Sequence, residues 1–270
     1  MRAGPFAFSA IVLLWTCASV PAQWLSYPTP GIPRRSVGKP IFNAPAPRTT
    51  GGKPVLSGIW GWELNRPCPP QGCDDQPIGQ EFINIGWSLK DGLPYQPWAA
   101  ELVKTRRAGN AKDDPQTHCL PRGAVRLFTD GLYKKIVQTP GLLVILNERN
   151  ASYRQIFTDN RPLPIDPDPS WNGYSSARWE DDTLVVRTIG FRDGLWLDSS
   201  GSPLTDAAKV TEKFRRPNFG RLEIEITVDD SKAYTAPWTI KLTQPLVPDT
   251  ELLDYICLEN EKDITHFATK

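Results

Sequence analysis

The chain has 270 residues, a hydrophobic fraction of 40%, a charged fraction of 23% and a formal net charge of +1. That composition can fold around a substantial core. Near-neutrality excludes nucleic acid and anionic membrane surfaces as main partners, because both need a concentrated basic face.

Met1 and Arg2 begin a short positive start, the apolar stretch Pro5 to Val20 follows, and Val20-Pro21-Ala22 offers a cut before Gln23. This is the pattern of a secretion signal over residues 1–22, too short to span a bilayer and followed at once by polar sequence. The expected location is secreted or periplasmic, with no integral membrane segment after cleavage. Removing 22 of 270 residues leaves 248 and takes away Arg2, so the mature chain is formally neutral. Its four cysteines are Cys68, Cys73, Cys119 and Cys257. An even count in an exported chain predicts two disulfides: Cys68 with Cys73 across a turn-rich hexapeptide, and Cys119 with Cys257 around a long loop. A four-sulfur zinc site would need two short knuckles, and Cys119 and Cys257 stand alone.

Residues 23–56 are proline-rich and read as an extended arm or linker. Residues 57–131 form an N-terminal segment holding the short disulfide loop and a helix over Tyr95 to Arg107. From residue 132 to 262 the period changes to two. Strands are predicted at Tyr133–Thr139, Leu142–Glu148, Ser152–Thr158, Tyr174–Trp179, Thr183–Ile189, Lys209–Arg215, Arg221–Val228, Trp238–Gln244 and Leu252–Leu258, with 263–270 as a tail. Strands in serial order without helices between them give an all-β class: an antiparallel meander forming a lipocalin-like barrel or a sandwich. Leu222, Ile224, Ile226 and Val228 face one way with Arg221, Glu223, Glu225 and Thr227 opposite, so one face is buried and one is wet.

Several strings resemble a large group of exported, mostly uncharacterised bacterial proteins known mainly from environmental genomes. They include Cys119-Leu120-Pro121, Ile136-Val137-Gln138-Thr139-Pro140-Gly141, Tyr153-Arg154-Gln155-Ile156-Phe157-Thr158-Asp159, Pro169-Ser170-Trp171-Asn172-Gly173-Tyr174-Ser175 and Trp179-Glu180-Asp181-Asp182-Thr183-Leu184-Val185-Val186. The resemblance covers roughly residues 85–263. It implies export and a β-rich domain, and it carries no established activity. Members of the group often have histidine-rich sequence where this chain has Gly201-Ser202-Pro203-Leu204-Thr205-Asp206.

His118 and His266 are the two histidines. Neither is placed for a Ser-His-Asp relay or a multi-histidine metal site, so no metal and no cofactor are expected. Carboxylates remain. Glu212 shares a strand face with Val210 and Phe214, and an inward carboxylate must be paired or serve a ligand. Arg154, beside Ile156, and Arg178 are the expected interior partners. Trp171, Tyr174 and Trp196 sit in or beside long loops and are expected at the barrel mouth. The leading expectation is a barrel holding a small, partly apolar ligand, with Arg154, Trp171, Tyr174, Arg178, Trp196 and Glu212 as contacts. One alternative is a cofactor-free lyase, isomerase or hydrolase using Glu212 or Tyr153, with Arg154 stabilising an anion. The other is a solid-core module with an envelope protein partner.

Overall fold

The computed structural model describes residues 28–62 and 84–259. Residues 1–22, Cys68, Cys73, His266 and the tail 263–270 therefore lie outside the described residues. In chain order the elements are β1 (Gly58–Trp60), α1 (Pro97–Ala108), a 3-10 turn (Pro115–His118), α2 (Gly123–Arg126), β2 (Lys134–Thr139), β3 (Leu142–Asn147), β4 (Ser152–Phe157), β5 (Tyr174–Glu180), β6 (Thr183–Ile189), β7 (Leu195–Trp196), β8 (Pro203–Leu204), β9 (Lys209–Asn218), β10 (Arg221–Asp229) and β11 (Trp238–Pro245). The protein is mainly β. Among the described residues no helix is long and apolar enough to cross a membrane.

Nine strands form one sheet in the order β1-β2-β3-β4-β5-β6-β9-β10-β11, and β7 pairs with β8 as a separate hairpin. Past β11 the chain returns to β1: Trp60 bridges Leu246, Gly61 N–H donates to Pro245 O at 2.9 Å, and Val247 N–H donates to Ile59 O at 2.8 Å. The sheet is thus curled into a nearly closed barrel. Its weak seam lies between β4 and β5, which run parallel and register at Phe157 and Ser176. The proline-rich loop after β4 carries the chain back to the starting end of β4, so β5 departs in the same direction.

Two details differ from expectation. The run Leu252–Leu258 forms no strand; Tyr255 makes an isolated bridge to Arg149, and Leu253, Tyr255, Ile256 and Leu258 are exposed. A strand there would need one buried face, which these side chains lack. The ninth strand comes instead from Gly58–Trp60, where Ile59 and Trp60 are buried. The proline-rich arm is also docked rather than loose. Phe219 N–H and Gly220 N–H donate to Ala44 O and Phe42 O, each at 2.8 Å, and Leu56 is part of the core.

Period-two alternation sets the interior. Leu222, Ile224, Ile226 and Val228 of β10 point inward between Val210 and Phe214 of β9 and Ile240 and Leu242 of β11. Outside, Glu225 is paired with Lys213 at 2.8 Å and Lys241 at 3.5 Å, and Glu223 with Arg215 at 3.0 Å.

The barrel is filled from within by its own chain. Residues 122–131 are buried along their whole length. The Phe128 ring meets Phe214 edge-on at 5.6 Å, and Gln244 Nε2 donates to Phe128 O at 3.1 Å. Gly123 opens this plug with φ +79°, and a Cβ there would lie 2.9 Å from Trp171 O. Only glycine meets both conditions without strain.

Candidate ligand groove and the buried ion pair

Glu212 points inward with Val210 and Phe214, and Arg154 meets it from β4. Arg154 Nη1 donates to Glu212 Oε1 at 2.8 Å and Nη2 donates to Glu212 Oε2. Nη2 also reaches Ser175 Oγ at 3.1 Å and Thr188 Oγ1 at 3.0 Å, and those two hydroxyls share a hydrogen bond of 3.0 Å. One guanidinium therefore ties β4, β5, β6 and β9 together beside the seam that has a single registered pair. Both carboxylate oxygens of Glu212 are occupied by the guanidinium. Tyr153 points the other way, 63% exposed on the outer face. The three candidate catalytic residues are thus divided between the two faces of the sheet and cannot address one substrate together.

A second buried centre surrounds Asp130 at the end of the plug. Its carboxylate faces Arg149 Nε at 3.1 Å, Lys134 Nζ at 3.5 Å and Arg122 Nη1 at 3.7 Å, and it accepts Leu132 N–H at 2.8 Å. Burial pushes this carboxyl upward. The attraction of Lys134, Arg122 and Arg149 outweighs it and holds Asp130 below the usual carboxylate range. Asp198 is the opposite case: burial pushes its carboxyl up, although it accepts Ser202 Oγ–H at 2.5 Å, Ser202 N–H at 3.0 Å and Ile85 N–H at 2.8 Å. Those bonds pin residues 84–86 to the loop after β7.

The other expected contacts lie elsewhere. Arg178 is not interior. Ser175 and Ala177 take the inward phase of β5, so Arg178 stands on the outer face, paired with Glu180. Trp196 is buried under Arg106, whose Cζ lies 4.3 Å from the ring, and Trp171 lies beneath Arg192 at 4.5 Å. Both pack loops onto the barrel end. The Tyr174 ring meets Phe157 at a tilt, with centroids 5.3 Å apart, outside the seam. Cys119 and Cys257 are bonded across a sequence separation of 138 with Cα atoms 5.4 Å apart.

Besides a cleft of ≈ 300 Å³ between the arm and the β2–β3 turn, which has Lys53 as its one charged lining residue, three concave features bear on ligand binding. The cleft at the disulfide rim has a volume of ≈ 130 Å³, and its amides are already engaged: Asn150 with Cys119 O and Cys257 N–H, Asn172 with Tyr153 O. A groove of ≈ 390 Å³ over β9–β11 is lined by Lys213, Arg215, Arg221 and Lys241, and each of these cations is already paired with Glu223 or Glu225. The third differs. It occupies ≈ 380 Å³ on the outer face of β5 and β6 under the loop after β4, lined by Arg161, Leu163, Ser176, Arg178, Val185 and Arg187 among others. No acidic side chain among the described residues lines it. Its floor is Val185, an outward residue that is nevertheless 6% exposed.

The rim is anchored. Arg161 is held by Asp159 at 2.9 Å and 2.6 Å, and its Cζ stacks 3.9 Å over the Phe157 ring. Arg178 donates to Glu180 at 2.8 Å and 2.7 Å. Arg187 faces Ser176 across the β5–β6 pair and has no carboxylate partner among the described residues. Arg161, Leu163, Val185 and Arg187 were not singled out by sequence reasoning. One signal was present: Leu184-Val185-Val186 breaks the alternation, and the surplus apolar residue must lie on the wet face under some cover. No family model matches the chain, and neither the curated proteins nor the solved structures contain a match to it.

Proposed function

We propose that this is an exported binding protein, a filled β-barrel that takes a small, partly apolar ligand on its outer β5–β6 groove rather than in its bore. The observation that carries the reading is the groove itself: an apolar floor and three arginines with no lining carboxylate. Its ≈ 380 Å³ falls at the low end of the sizes typical of small-molecule sites. The bore is assigned to stability, because residues 122–131 and the Arg154–Glu212 pair occupy it. Export is supported by the signal pattern over residues 1–22 and by the Cys119–Cys257 bond, which suits an oxidising compartment.

The test is native mass spectrometry of protein purified from the periplasm. The expected result is an additional mass released on unfolding and absent from Leu163→Glu, which puts a carboxylate into the groove. A wild-type protein with no added mass, or an added mass unchanged in the variant, refutes the reading.

A further inference from the structure

The chemistry of the groove narrows the ligand. Resting on the proposed function above, we infer that the ligand is a monocarboxylate with a short apolar body, its head bound by Arg187 and its body laid over Val185 toward Leu163. Two observations and the geometry of a guanidinium converge on this. Arg161 and Arg178 already share carboxylates with Asp159 and Glu180, so they shape the rim and contribute field rather than offering an open fork. Arg187 has no such partner among the described residues and stands on the same outer face, two residues from Val185. A planar guanidinium with two parallel N–H groups matches a planar carboxylate.

The floor argues for an apolar body. Val185 pairs with Arg178 on β5 and Lys213 on β9, so its outward side chain is framed by the stems of long cationic residues. Such stems cover apolar surface while their heads stay wet. A ligand chain can replace part of that cover over Val185 and cover Leu163, which is only partly buried. The volume of ≈ 380 Å³ corresponds to about a dozen waters at roughly 30 Å³ each, so a chain of about eight carbons fills it. A rim with one open guanidinium suits a single negative charge better than a phosphate dianion, which asks for more donors.

The experiment is titration calorimetry of the full mature protein with octanoate, its neutral counterpart octanamide, and butanoate. Octanoate is expected to bind at least tenfold more tightly than octanamide, since a hydrogen bond to a charged group is worth roughly tenfold or more. Shortening the chain should weaken binding roughly two- to fourfold per methylene. Arg187→Gln, an exposed substitution, should reduce octanoate affinity about tenfold and leave both the melting temperature and the weaker octanamide affinity unchanged. Arg215→Gln on the neighbouring groove should change nothing. Equal binding of octanoate and octanamide, or an Arg187→Gln variant that binds octanoate normally, overturns the carboxylate assignment while the groove keeps its ligand. Absence of octanoate binding also overturns it, and the mass-spectrometric result then decides separately whether the groove binds anything.

Discussion

Arg154 and Glu212 show how much depends on where two charges are placed in a sheet. Both are buried almost completely, and each is the other's main partner. Removing one member of such a pair typically costs about 3–5 kcal/mol because the other is left buried and uncompensated, whereas replacing both with apolar residues can be nearly neutral. Glu212→Leu should therefore lower the urea midpoint by the equivalent of about 3–5 kcal/mol, and Arg154→Met with Glu212→Leu should recover most of it. A Glu212→Leu protein as stable as wild type would return this carboxylate to the list of functional groups. Asp130 makes a pH prediction. Its folded-state affinity for a proton is lowered, so its stabilisation is complete above the ordinary carboxylate range and is lost as pH falls through the lower folded value. Asp198 has the opposite sign: its raised folded-state value means that stability declines as pH rises through the window above the ordinary range. Urea midpoints between about pH 3 and 7 should show a shallower acid loss in Asp130→Asn and a removed decline in Asp198→Asn.

Among the elements, the plug determines what the barrel can do. Phe128 lies against Phe214 inside the sheet, so Phe128→Ala should cost about 3–5 kcal/mol, as large core deletions do. Gly123→Ala should cost about 1–3 kcal/mol from the positive φ and the approach to Trp171 O, with unfolding midpoints as the measure of both. Sequence alone could not show this element. Arg122, Arg126 and Asp130 make the stretch look solvated, but Arg126 pairs with Asp114, and Asp130 is met by Arg122, Lys134 and Arg149, a set of contacts that only the fold assembles. The strands were far more legible, because eight of the nine expected runs alternate against a single core. The ninth was misplaced: three residues at Gly58–Trp60 are too few to show a period, while Leu252–Leu258 carries apolar residues without a buried face. The inward phase of Glu212 and Arg154 followed from Val210, Phe214 and Ile156. The interior position expected for Arg178 fails because Ser175 and Ala177, small and weakly apolar, hide the true phase of β5.

At the scale of the molecule, closure comes from contacts between distant segments: β1 against residues 245–247, the arm against β9 and β10, and one disulfide around most of the barrel. The chain-entropy model gives up to about 5 kcal/mol for a loop of the Cys119–Cys257 length, so reduction should lower the melting temperature by many degrees. The same architecture explains why a barrel can bind outside rather than inside. The chain has already filled the space that a hollow barrel would give to a ligand, and the arginines left over stand on the wet face. Hydrogen exchange at the amides of residues 122–131 probes that arrangement most directly. They should exchange only with global unfolding, at the protection of the β10 amides. Exchange of the plug well ahead of β10 would mean that the bore opens on its own, and would return the ligand to the interior.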